Sequence, residues 1–455
     1  MPNLLIPGQG SHNVVFVVTE HDSVYAFDAD TASSAPLWHA SFINPSAGIT
    51  TLPPQDIGGG PIGGEVGITG TPVIDPGTGT MFVAAITKET GKYFWRLHAL
   101  NIATGAEKPG SPVVISGEVS GTGVGTDGTN VAFDPLWHLN RPGLLELNGV
   151  VYVAFGSEGD LGQWHGWLFA FDASTLNLLS VFCTTPNGSD GAVWQGGGGL
   201  AADSLGNIYF TTGNGTFDAN IGGSDYSDSV LKIKLQTSGL AVLDYFTPYD
   251  QAVLAFNDED LGSGGPLLLS DQPGSFPHLL TVAGKGGTLY LINRDNLGKF
   301  QSGSDSQIVQ SIRAEFPASS EIGVFGIPAE WNGQVFYQSE GDTLKAFALS
   351  NGMLPNPPQK GPDVFGDRGA SPSISASGTS NGIVWVLQQD AWSTNGPSIL
   401  HAYSASNIQQ ELYTSGQVAS RDQAGVAVRF SVPTVANGRV FVGGGFSLTV
   451  YAPLP

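Results

Sequence analysis

The sequence predicts an all-β protein: one eight-bladed β-propeller of four-stranded antiparallel blades, spanning residues 1–455 as a single domain. Three observations carry this expectation. A short phrase, an apolar strand followed by an acidic or polar turn and a second strand, returns eight times. A further hairpin signature precedes each phrase. No stretch carries a convincing helical period.

The phrase runs SVYAFDADTASSAPLWHASF from Ser23, RLHALNIATGAEK from Arg96, WLFAFDASTLNLLSVF from Trp167 and SVLKIKLQTSGLAVLDYF from Ser229. It continues as TLYLINRDNLGKF from Thr288, TLKAFALSNGML from Thr343, ILHAYSASNIQQELY from Ile399 and LTVYAPLP from Leu448. Matching positions, from Ala26 to Tyr451, are 49 to 73 residues apart, a period that signals an array of small sheets. Ahead of the phrases stand strand pairs such as TPVIDPGTGTMFVAA from Thr71, LLELNGVVYVAFG from Leu144 and VPTVANGRVFVGG from Val432. Each flanks a Gly, Asn or Pro turn, as hairpins do. Two hairpins make one four-stranded blade. First strands are expected near Thr71, Gly143, Leu200, Pro266, Ile327, Ser371 and Val432, with blade one opening at Asn3 in PNLLIP. Long loops are expected in the first half, where the intervals are widest.

Blade eight shows only three strand-like runs: FSVPTV, RVFVGG and LTVYAPL. A propeller normally closes by borrowing a strand from the other terminus, because an open edge invites aggregation. The expectation is a three-stranded blade eight with an edge at Leu448–Tyr451, bare or covered by a partner chain, or a natural start upstream of Met1.

The net charge is −22, from 17 Lys+Arg against 39 Asp+Glu, with charged residues only 12% of the chain. Such a balance excludes an ordinary nucleic-acid surface, which needs clustered cations. No apolar run approaches the roughly 20 residues of a membrane span. The single cysteine, Cys183, allows no intrachain disulfide. An acidic, Lys-poor, Gly/Ser/Thr-rich sheet protein is expected to be extracytoplasmic, secreted or periplasmic, although no signal peptide follows Met1.

Between Val151 and Phe300 five motifs follow one another: GSEGDLGQWHGWLFAFDAST from Gly156, VWQGGGG from Val193, YFTTGNGTFD from Tyr209, DYFTPYDQAVLAFNDEDLGSGGPLLL from Asp244 and AGKGGTLYLINRDNLGKF from Ala283. In content and order they resemble segments of the pyrroloquinoline-quinone (PQQ) dehydrogenase propellers, whose quinoprotein repeat the eightfold phrase also resembles. The resemblance implies a dehydrogenase of a small-molecule alcohol or carbohydrate using PQQ and calcium. It implies Glu158 and Asn214 as calcium ligands, joined by Asp260, which is also the general base, and Lys285 as a donor to the quinone oxygens. Hard oxygen donors suit calcium, and a carboxylate in reach of an alcohol can take its proton. There are departures. The tryptophan on which the family stacks its quinone falls at Gly197 or Gly198, leaving Trp194 as a substitute. The vicinal disulfide of many members cannot form, and the turn after Glu158 carries an insertion with Trp164, His165 and Gly166.

Other readings stand beside this one. Asp258, Glu259 and Asp260 also read as a solvated acidic loop, and Glu158 and Asn214 as turn caps. WHLNRPG places His138 and Arg141 in the loop entering blade three; with His165, Arg421 and Asp422 they suit a polysaccharide lyase, a histidine abstracting the proton and an arginine neutralising a uronic-acid carboxylate. Loop tryptophans Trp164, Trp194 and Trp392 would then offer sugar platforms, in a lyase or in a carbohydrate-binding protein. A cofactor-free scaffold or binding propeller is the third reading.

Overall fold

The computed structural model describes residues 1–31, 33–59, 64–369 and 371–453. Eight antiparallel blade sheets follow one another along the chain, and the fold class is the eight-bladed β-propeller. Two compact units divide it: Met1–Val193 with Gly215–Asp225 and Lys234–Ala241, and Trp194–Asn214 with Tyr226–Ile233 and Val242 onward.

First strands begin at Val73, Leu145, Ala201, Leu267, Ala329, Ser373 and Thr434, each one or two residues beyond its expected start. Three of the hairpins joining first to second strand turn on Asn-Gly: Asn148-Gly149, Asn332-Gly333 and Asn437-Gly438, every one of these residues at positive φ. Their registers, Leu147↔Val150, Trp331↔Gln334 and Ala436↔Arg439, leave two residues in each turn. Asn-Gly accepts the left-handed conformation that matches strand twist.

In the first unit, the second strand of blade three, Val150–Ser157, is buried on both faces after its first residue. Val151, Val153 and Phe155 join Trp95, Trp167 and Phe169 in one core, each fully buried. Removing such side chains from water contributes about 1.5–3 kcal/mol apiece. In the second unit Leu289, Leu291, Val335, Tyr337 and Phe347 form one core, and Tyr209, Phe246, Leu280 and Val282 another.

Two features depart from expectation, at Leu4–Ile6 and at Gln251–Asn257, and one meets it, the three-stranded blade eight. Leu4–Ile6 is not the inner strand of blade one; it pairs with Gly10–His12 as a separate hairpin, while blade one is the three-stranded sheet Val14–Thr19, Ser23–Asp28, Trp38–Ser41. Gly8 and Gly10, at φ 76° and 96°, turn the chain back before it can join that sheet. Blade eight has three strands, Thr434–Ala436, Arg439–Gly444 and Ser447–Tyr451, with the last at the edge. A helix, Gln251–Asn257, precedes the acidic loop; seven residues are too few for a periodic pattern to register. Among the described residues no helix is long and apolar enough to cross a membrane.

Candidate functional site

The second unit gathers an acid–base cluster at its loops. The helix Gln251–Asn257 ends on Asp258 in the left-handed conformation, φ 57°, with the Asp258 N–H bonded to the carbonyls of Ala255 and Leu254. That cap reverses the chain, and Asp258 and Asp260 both reach the same ammonium. Lys285 Nζ lies 2.9 Å from Asp258 Oδ1 and 2.5 Å from Asp260 Oδ2. The Asn214 backbone N–H donates to Asp260 Oδ1 at 2.6 Å, and its side-chain Nδ2 to Asp258 Oδ1 at 2.9 Å. Asp260 and Lys285 are buried, whereas the Asp258 side chain is 49% exposed, so one wall of the cluster meets solvent. Burial works to lower the pKa of Lys285, but the carboxylates of Asp260 and Asp258 outweigh it and leave it raised. The ammonium therefore stays charged.

Glycines let these loops approach. A Cβ on Gly213 would sit 2.8 Å from Asp260 Oδ1 and 3.0 Å from Trp194 Nε1, and one on Gly262 would sit 2.4 Å from the Gly213 nitrogen. Trp194 is thus buried against the turn that carries Asn214.

Asp228, which the motifs did not single out, lies beneath the cluster. It is fully buried and accepts from Leu261 N at 3.2 Å and Gln251 Nε2 at 3.3 Å. Burial pushes its carboxyl well above the usual range, the Asp260 charge adds to this, and Leu261, Gln251 and Lys285 pull the other way. A sequence signal existed: SDSV at Asp228 repeats HDSV at Asp22, each Asp standing one or two residues ahead of a strand, Val230–Gln236 and Ser23–Asp28.

Glu158 belongs to the first unit. It is fully buried, neither carboxylate oxygen has a hydrogen-bond partner, and its carboxyl is pushed up to about 8 by burial and by Glu20, against the pull of Arg141. Such a carboxylate is either protonated or beside a cation, so its chemistry fits a hard metal. Asp260 fits less well, since both of its oxygens already hold a donor.

The structure places His138 and His165 in the core of the first unit, each 1% exposed. His138 Nδ1 bonds the Asp134 carbonyl at 2.6 Å, while Nε2 accepts from Trp167 Nε1 at 3.0 Å and from the His165 N–H at 3.1 Å. Its pKa falls to about 3, chiefly through burial. His165 Nδ1 meets Thr185 Oγ1 and Nε2 the Val124 carbonyl, both at 2.9 Å, and burial lowers its pKa as well. Every ring nitrogen of the pair is engaged inside the protein. Trp164, expected to be an exposed platform, is 5% exposed.

The glycine run leaves no seat for a stacking indole. A Cβ on Gly198 would lie 2.0 Å from Ile327 Cδ1, one on Gly196 2.6 Å from Phe430 Cδ1, and one on Gly197 2.6 Å from the Phe430 carbonyl oxygen. Side chains of Phe430 and Ile327 fill the space beside residues 196–198. The residues present do not fit a quinone stacked as the resemblance implies.

No protein-family model matches the chain, and no curated protein matches its sequence. Solved structures do. A quinohemoprotein alcohol dehydrogenase from Comamonas testosteroni is 15% identical, over 95% of this chain and 69% of that one, with a TM-score of 0.54. One from Pseudomonas putida HK5 is also 15% identical, over 95% and 68%, with a TM-score of 0.56. Saccharomyces cerevisiae Sqt1 is 11% identical, over 98% and 93%, with a TM-score of 0.53. At these identities the likeness is one of fold: the chain is a propeller similar in fold to quinohemoprotein alcohol dehydrogenases.

Proposed function

We propose that this protein is a quinoprotein-like propeller that binds a hydroxyl-bearing small molecule, an alcohol or a carbohydrate, at the Asp258–Asp260–Lys285–Asn214 cluster, without a stacked quinone. The observation that supports the reading is the pairing of an intact charged cluster with a glycine run that has no room for a stacking indole. Lys285 is held between two carboxylates, and Asp258 brings that arrangement to solvent. A ligand hydroxyl donates to Asp258 and accepts from Lys285, the complementary pair that a hydroxyl needs. Asp258, to which that hydroxyl donates, is then the carboxylate that takes its proton, while Asp260, engaged by the Asn214 N–H and Lys285 Nζ, holds the ammonium in position. The acidic, Lys-poor composition supports an extracytoplasmic address.

Calorimetric titration of the protein with a panel of sugars and small alcohols, beside a titration with PQQ and Ca²⁺, tests this. A sugar or alcohol should bind, with affinity lowered at least about tenfold by Lys285→Met, the loss expected for one charged hydrogen bond. PQQ should not bind at high micromolar concentrations. Stoichiometric PQQ binding with dye-linked alcohol oxidation would establish the dehydrogenase reading instead. No binding of any panel member would leave a scaffold.

A further inference from the structure

We propose that Asp363, His401 and Glu411 form a site for a divalent transition-metal cation, Zn²⁺ in the first instance, joining the outer strands of blades six and seven. Asp363 lies on the last strand of blade six, Gln359–Phe365; His401 and Glu411 lie on the last two strands of blade seven, Ile399–Ser404 and Asn407–Thr414. One ligand atom from each lies within 4.8 Å of the others, and no other His, Cys, Asp or Glu trio among the described residues meets that condition.

The hydrogens argue for a cation. Gln388 Nε2 donates to Asp390 Oδ2 at 2.6 Å, which fixes the amide so that its Oε1 faces His401 Nε2 at 3.2 Å. An amide oxygen only accepts, so His401 Nε2 carries the hydrogen and Nδ1 of the neutral imidazole is bare. Yet Nδ1 faces Glu411 Oε1 at 2.7 Å and Tyr403 Oη at 3.3 Å, and the Tyr403 hydroxyl donates to Asp363 Oδ2 at 2.7 Å. The lone pairs of Nδ1 and Glu411 Oε1 therefore face each other, and a proton or a metal ion must lie between them. A proton on Nδ1 serves the Glu411 contact alone. A divalent cation serves the imidazole and both carboxylates together.

The surroundings suit a metal. A ligating histidine typically donates its second N–H to a carbonyl or carboxylate oxygen, the role Gln388 fills here. One imidazole and two carboxylates favour zinc or its first-row neighbours over calcium or magnesium. Ligands on a tetrahedral zinc shell stand roughly 3.4 Å apart, so the Nδ1–Oε1 contact opens slightly while Asp363 draws in. Asp363 and Glu411 are half-buried, which leaves them room to adjust and the ion a way in; His401 is 6% exposed and fixed.

The full chain, stripped with a chelator and exchanged, would be titrated with Zn²⁺ by calorimetry, its bound metal counted by mass spectrometry, and its Co²⁺ form examined for visible ligand-field bands. One Zn²⁺ per chain is expected, with Kd at or below about 10 μM. The thermal midpoint should rise on binding. Glu411→Gln and Asp363→Asn should each weaken affinity by about tenfold or more. No binding at about 1 mM Zn²⁺, or binding unchanged in both variants, would overturn the proposal and assign the charge to a proton on His401. If Asp363→Asn fails to fold, the wild-type stoichiometry and Glu411→Gln decide.

Discussion

At Asp260 a carboxylate is held almost out of water by one ammonium and one backbone N–H, near a second, fully buried carboxyl, Asp228, whose pKa is raised by burial first and by the Asp260 charge second. Removing one partner of a buried pair costs about 3–5 kcal/mol when the other is stranded. Here Asp258 still reaches Lys285, so Asp260→Asn should cost only about 2 kcal/mol, and Asp260→Asn with Lys285→Met should cost less than the sum of the two single changes. Urea unfolding of the four proteins gives the coupling directly. His138 makes a second case. With a folded pKa near 3 against an ordinary 6.5, it takes up a proton on unfolding once the pH drops below 6.5. Its contribution is therefore fully present above pH 6.5 and is lost as pH falls toward 3. The stability gap between wild type and His138→Gln should shrink by about 2 kcal/mol between pH 6.5 and 5, measured by chemical denaturation. Asn214, Asp258, Asp260 and Lys285 were legible in the sequence because three of the ordered motifs carry them. Asp228, marked only by its repeated Asp-Ser-Val, was not singled out, because an Asp before a strand looks like any turn residue. Nor was the buried role of His138, since its bond to Trp167 spans 29 residues and exists only after folding.

At the level of elements, legibility followed local turn chemistry. The Asn-Gly hairpins announced blades three, six and eight because their conformational demand is met by two adjacent residues. Leu4–Ile6 was misassigned because an apolar tripeptide has no local feature naming its partner strand; the Gly8 and Gly10 turns, rather than the strand itself, decide the pairing. The glycine run after Trp194 carried both a resemblance and a departure, and packing explains the departure. Gly198 is not at positive φ, so its requirement is space alone: a methyl there would sit 2.0 Å from Ile327 Cδ1 and 2.6 Å from Ile327 Cγ1. Gly198→Ala should cost about 1–3 kcal/mol through overpacking. Ile327→Ala in the same chain should recover most of that loss, although it is destabilising alone. Thermal unfolding of the two single variants and the double variant checks this, and simple additivity would show that Ile327 is not the obstacle.

For the molecule as a whole, the decisive quantity is how its few cations are spent. Only 17 lysines and arginines face 39 acidic residues, leaving −22. Several of those cations are committed to internal pairs: Lys345, 3% exposed, to Glu315 at 3.0 Å and Asp342 at 2.8 Å; Lys285 to Asp258 and Asp260; Arg429 to Asp367 at 2.8 Å. Much of the surface excess is therefore negative and self-repelling, and repulsion of this kind weakens a compact state. Salt shortens its reach, from about 30 Å at 0.01 M to about 3 Å at 1 M, while buried pairs such as those of Lys345 and Lys285 are screened far less. The thermal midpoint should accordingly rise by several degrees as NaCl increases from about 10 mM to about 500 mM, with most of the gain below about 200 mM. Glu or Asp to Lys changes at exposed, unpaired positions should raise the low-salt midpoint and flatten the salt response. A midpoint that falls with added salt would mean that attractive surface pairs outweigh the acidic excess, and that the scarce cations stabilise the exterior rather than the loops they hold together.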